Sequence, residues 1–105
     1  MTISRADFAV GQIVRHELFA YRGVIIDVDP EFQGTEQWYK SMAKSLPPKD
    51  QPWYRVLVDG AAHQTYVAQR NLTDDGDRSP IQNPYVDDIL RRCGDGTYVL
   101  RTGLS

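Results

Sequence analysis

The residues from which this 105-residue chain could build a reaction are few: His16, His63, Cys93, Ser41, Ser45, Ser79 and three aspartate pairs, Asp27/Asp29, Asp74/Asp75 and Asp87/Asp88. A zinc site draws its ligands from short recurrent spacings such as Cys-x-x-Cys or His-Glu-x-x-His, and neither occurs. The two histidines read instead as polar strand residues, hydrogen-bonded at the surface. A nucleophilic serine of the elbow type sits on a sharp strand-to-helix turn, whereas these serines fall in loop-like stretches. Cys93 lies on an apolar stripe, where a thiol is buried and inert. The aspartate pairs fit turn formation and helix capping. No glycine-rich phosphate loop is present. The chemistry-bearing residues thus predict no enzyme, no metal and no cofactor.

A second set is better organised. Tyr21, Trp38, Tyr39, Trp53, Tyr54 and Tyr66 interleave with Arg15, Arg22, Arg55 and Arg70. Such a set can stack bases and hold phosphates. It can equally form a protein interface, where Trp, Tyr and Arg are the strong contributors. It can also be a small aromatic core with arginines over it.

Composition limits the choice. A formal charge of −2 and a pI near 5.5 lack the basic footprint of a dedicated non-specific nucleic-acid binder, whose affinity comes from counterion release, though a local patch stays possible. The apolar share of 41% is that of a globular chain. A single cysteine excludes an internal disulfide framework and points to a reducing compartment. Met1 to Ala9 has no basic-plus-apolar leader pattern and no stretch reaches membrane-spanning length, so a cytoplasmic location is expected.

The elements that must position these side chains are read in order. Residues 1–10 form an arm, mobile and anchored by Phe8. Gln12 to His16 is a short β-branched strand after Gly11. Arg22 to Val28 is a second strand, with Gly23 at a bulge or bend and Val24, Ile26 and Val28 on one face. Asp29-Pro30 ends it. Residues 31–52 form a long insertion in which Trp38, Met42 and Leu46 share a helical face until Pro47-Pro48, with Lys40 and Lys44 elsewhere. Trp53 to Val58 and His63 to Ala68 form a hairpin around Asp59-Gly60. Thr73 to Ser79 is a polar loop without core residues. Asn83 caps a helix to Gly94 with Val86, Ile89, Leu90 and Cys93 inward, and Thr97 to Arg101 is a possible fifth strand. The expected fold is mainly β, a small SH3-like barrel or bent antiparallel sheet of about five strands with one or two short helices.

The ordered motifs Gly11-Gln12, Val14-Arg15-His16, Tyr21-Arg22-Gly23-Val24, Asp27-Val28-Asp29-Pro30, Gln51-Pro52-Trp53-Tyr54, Val56-Leu57-Val58, Thr65-Tyr66-Val67-Ala68 and Asn71-Leu72 resemble the YccV-like hemimethylated DNA-binding family, which includes HspQ-like heat-shock proteins. The resemblance covers about residues 11–72. It implies a single YccV-like β-domain over 11–105, with a barrel-like fold. It also implies binding of hemimethylated double-stranded DNA. A further implication is a stress-response role in which the protein meets the Lon protease as substrate, specificity factor or both. Homotrimers are implied as well. The family offers no catalytic residues to carry over. The Asn83 to Gly94 and Thr97 to Arg101 segments depart from the polar HspQ tail. The expected DNA- or partner-binding surface comprises Arg15, His16, Tyr21, Arg22, Trp53, Tyr54 and Tyr66. The other readings are a protein-binding adaptor without physiological DNA binding, and an enzyme in which a cleft gathers His16, His63 and carboxylates.

Overall fold

The computed structural model describes residues 5–43 and 45–101. Residues 1–4 of the expected arm, Lys44 of the insertion and the last four residues of the expected domain lie outside the described residues. The elements are β1 (Ile13–His16), β2 (Arg22–Asp29), α1 (Glu36–Met42), β3 (Trp53–Val58), β4 (Gln64–Ala68), β5 (Leu72–Asp74), α2 (Val86–Ile89), β6 (Leu90–Arg92) and β7 (Tyr98–Leu100). The first five strands form one antiparallel sheet in the order β4-β3-β2-β1-β5, and β6 and β7 form a separate two-stranded sheet. Of the two expected forms, the bent open sheet is found and the closed barrel is not. Among the described residues no helix is long and apolar enough to cross a membrane.

The apolar second strand is the centre of the sheet, and both of its faces are buried. Val24 packs with Ile13, Leu57, Ile81, Val86, Leu90 and Tyr98, under the C-terminal unit. Ile25 packs with Val14, Tyr54, Val56, Val67 and Leu72, inside the bend. Each fully buried aliphatic side chain contributes about 2 kcal/mol, so neither face is free to turn outward. The expected single core face of Val24, Ile26 and Val28 is therefore corrected. A bulge lies between Ile25 and Asp27, which pair with Val56 and Arg55. It leaves Ile26 as the extra residue and puts Val28 on the same side as Ile25. The irregularity is thus further along than Gly23. Gly23 serves instead for close approach: a Cβ there would meet the Leu57 carbonyl oxygen at 2.6 Å.

The C-terminal third also differs from expectation. Only Val86–Ile89 is helical, and Leu90–Arg92 is strand β6, paired with Tyr98–Leu100 rather than with the main sheet. The apolar spacing 86, 89, 90 suits a helix, but the Asp95-Gly96 turn, with Gly96 at φ +88°, folds β7 back onto β6. The left-handed residue is Gly96, not Gly94. Asn83 is buried and ties this unit to the sheet, its amide donating to the Val58 and His63 carbonyls at 3.0 and 3.1 Å. Thr73 and Asp74, expected in a loop, pair with Arg15 and Val14 in β5. Phe8 packs edge-on against Tyr54, with ring centroids 5.6 Å apart.

Candidate interaction groove

The insertion is laid over one face of β3 and β4 by specific local choices. Thr35 caps α1, its hydroxyl accepting from the Trp38 amide at 3.0 Å. The helix ends at Met42, well before Pro47-Pro48. Leu46 adopts φ +46°, and both Met42 and Leu46 are exposed, so the expected Trp38/Met42/Leu46 inward stripe does not form. The chain returns along Trp53: its indole N–H donates to the Pro48 carbonyl at 3.0 Å, and the Tyr39 hydroxyl donates to the Pro47 carbonyl at 2.6 Å. Phe32, Trp38, Tyr39 and Tyr66 then pack around Trp53, with Phe32 and Tyr66 centroids at 4.8 and 5.2 Å from it.

Tyr66 is fixed at both ends. The Arg55 guanidinium lies 4.8 Å from its ring centre, and Arg55 in turn pairs with Asp27 at 3.7 Å. The Tyr66 hydroxyl donates to Asp29 Oδ2 at 2.5 Å and accepts from the Gln33 amide at 3.1 Å. Burial first, and then the carboxylate of Asp29, push its pKa up to about 12, so it remains a donor at physiological pH.

On the other side of β4 stands the β1–β2 connection. His16 Nδ1 accepts from the Leu18 and Phe19 amides, both at 3.1 Å, which fixes the neutral imidazole with its proton on Nε2. The ring lies between Phe19 and Tyr21, at centroid distances of 4.7 and 5.1 Å. Burial lowers the His16 pKa, and Glu17 opposes this more weakly. Ala20 takes φ +58° to complete the tight turn, and Leu18 and Phe19 are left exposed.

Between these walls runs a groove of about 400 Å³. It brings together four of the residues expected at a partner surface, His16, Tyr21, Trp53 and Tyr66, and it adds Leu18, Phe19, Trp38, Met42 and Arg55. His16 and Trp53 are nonetheless only 4% and 1% exposed, so they form the floor and not the surface on which they were expected.

The other three candidates are elsewhere. Tyr54 is 0% exposed in the sheet interior, where its hydroxyl donates to Gln69 and accepts from the Phe8 amide at 3.3 Å. Arg22 is occupied by Asp59 at 2.9 Å, Asp75 at 3.4 Å and Asp77 at 3.8 Å, and it also donates to the Asp77 and Ser79 carbonyls. Arg15 is exposed on the face of β1 opposite His16, without an ion pair among the described residues. Leu18 and Phe19 went unnoticed in the sequence. Two large apolar residues inside a five-residue strand connection were the available signal, since such a turn cannot bury both.

Among the described residues no group of three or more His, Cys, Asp or Glu converges in a metal-binding arrangement. The groove offers aromatic faces, a few hydroxyl and amide groups and one guanidinium, which is equipment for binding. The family model described as hemimethylated DNA-binding protein YccV like matches residues 6–97, nearly the whole of the fold just described. The chain belongs to the YccV-like hemimethylated DNA-binding family.

Proposed function

We propose that this protein is a non-enzymatic, cytoplasmic binding protein that takes hemimethylated double-stranded DNA and serves as an accessory or specificity factor for Lon-type proteolysis. The DNA half rests on the family, with Arg15, Arg70 and Arg91 as exposed cations that no described carboxylate neutralises. The observation that carries the protein-binding half is the groove, an aromatic floor with an exposed apolar rim. An HspQ-like homotrimer is the assembly that goes with this reading, and light scattering measures it.

Titration with unmethylated, hemimethylated and fully methylated duplexes at one salt concentration tests the DNA half. Tightest binding to the hemimethylated duplex supports it, and equal, weak, salt-abolished binding to all three overturns it. Degradation of a test substrate by Lon, with and without this protein, tests the accessory half. An unchanged rate, with the protein itself left intact, overturns that half.

A second reading, a protein-binding adaptor without physiological DNA binding, is favoured by one observation. Arg22 and Arg55, two of the arginines nearest the aromatic set, are already matched to aspartates, in a chain of net charge −2.

A further inference from the structure

The two edges of the main sheet are treated differently. The β5 edge is three residues long, ends in Asp74 and runs into Asp75 and Asp77, the charge and brevity that keep an edge from pairing. The β4 edge, Gln64-Thr65-Tyr66-Val67-Ala68, is longer and contains no charged residue, no proline and no bulge.

Hydrogen bonds fix which of its backbone groups are spare. Val58 N donates to His63 O, and Gln69 N to Pro52 O. In an antiparallel ladder this alternation turns His63, Thr65, Val67 and Gln69 toward β3, and turns the N–H and C=O of Gln64, Tyr66 and Ala68 outward. The groove lies on that outward side. It is lined by residues of both faces of β4: Thr65 and Val67, with Tyr21 and His16, on one, and Tyr66 and Ala68, with Trp53 and Trp38, on the other. A cavity lined from both faces of an edge strand runs along its edge.

We propose that the β4 edge is a docking site for an extended segment of another polypeptide, which adds as a sixth strand to the sheet. The segment's alternate side chains would enter the His16/Tyr21 side and the Trp38/Trp53 side, as strand geometry requires. The exposed Leu18 and Phe19 on one rim and Met42 on the other would close over it. Charge narrows the class of segment. Among the described residues no Asp or Glu lines the groove, in a chain with 14 acidic residues, and the one permanently charged lining group is Arg55. The complementary segment is apolar at alternate positions and carries no net charge, since the Asp27 carboxylate already answers Arg55. The concave shape, with apolar walls on both sides, suits a single strand better than the edge of a second copy, which would bring its own Phe19 and Met42 rims into the same space. This deepens the protein-binding half of the proposed function and requires neither DNA nor Lon.

The test is a peptide array of overlapping short segments cut from a reduced, carboxymethylated globular protein, probed with the whole chain. Binding concentrated on apolar segments without net charge is expected. Alternate-residue N-methylation of a binding segment should abolish binding in one phase and spare it in the other. Gln64→Pro removes one outward N–H and no ladder bond, because proline is tolerated on an edge with its nitrogen to solvent. It should weaken binding by about tenfold or more, roughly 1.4 kcal/mol, while circular dichroism and thermal unfolding stay close to the original. Bound peptide should also slow amide exchange at Gln64, Tyr66 and Ala68. Absence of binding to every segment, equal binding by Gln64→Pro, or equal loss in both N-methylation phases overturns the proposal. So does displacement of bound peptide by short duplex DNA without any protection of those amides, which would assign the groove to nucleic acid. A null result in the Lon assay with peptide binding intact would remove only the Lon reading.

Discussion

The Tyr21 hydroxyl and Thr65 Oγ1 lie 2.6 Å apart, joining the start of β2 to the edge strand β4 across the width of β3. This bond spans the concave side of the bend, so it reports directly on how far the sheet is curled. Burial raises the Tyr21 pKa, and the bond to Thr65 acts against that rise. Tyr21→Phe keeps the ring against His16 and deletes only the hydroxyl. It is expected to lower stability by about 1 kcal/mol, read by chemical denaturation. An unchanged midpoint would show that the bend is held by packing alone.

Arg22 is a structural cation. Removing it leaves Asp59, Asp75 and Asp77 facing one another around a vacated, largely buried position. Arg22→Ala is expected to cost about 3 kcal/mol, and Arg22→Met, which keeps the packing of the aliphatic stem, less. A loss of DNA binding with stability intact would contradict this assignment and return Arg22 to the partner surface.

His16 makes stability depend on pH. Its native pKa lies below the unfolded value of 6.5, because burial disfavours the charged ring. Above 6.5 both states are neutral and the full stability is present. As pH falls below 6.5 the unfolded chain binds a proton that the native chain does not, so stability drops until the native pKa is reached. Protonation at Nδ1 also expels the Leu18 and Phe19 amides. His16→Asn, whose Oδ1 can accept the same amides, should flatten this slope. Parallel pH profiles for the two proteins would sink the assignment.

Gly11 sits at φ +91°, and a Cβ there would lie 1.9 Å from the Tyr98 carbonyl oxygen. The same contact carries the bond from Tyr98 N to Gly11 O at 3.2 Å, which fastens β7 to the main sheet. Gly11→Ala is expected to destabilise by about 2 kcal/mol or more, with amide exchange rising first across β6 and β7. Uniform destabilisation without that bias would mean that the two sheets unfold as one unit.

The sequence made β1 to β4 readable because short β-branched and aromatic runs stand between turn residues, and Asp59-Gly60 marks a hairpin. β5 was not readable, since Leu72-Thr73-Asp74 has no strand pattern of its own and is templated by β1. The helix expected to Gly94 failed for a related reason. Val86, Ile89 and Leu90 are buried or nearly so, as predicted, but pairing with Tyr98–Leu100 decides the backbone that carries Leu90. At the groove, the aromatic content was legible and its sorting was not. Tyr54 and Tyr66 look alike in sequence, yet Tyr54 opposes Val67 and Tyr66 opposes Arg55, so they point to opposite faces. Only one of them reaches the groove.

The extra residue at Ile26 has a consequence for how the chain finds its alignment. A regular strand can slide by two residues and still present the same faces. With one residue more on β2 than on β3 between Ile25 and Asp27, any slide moves the kink away from Val56 and Arg55 and sends buried side chains to the wrong layer. Ile26 thus acts as a notch that admits a single alignment of the central strands, and through them sets where the edge of β4 begins and ends.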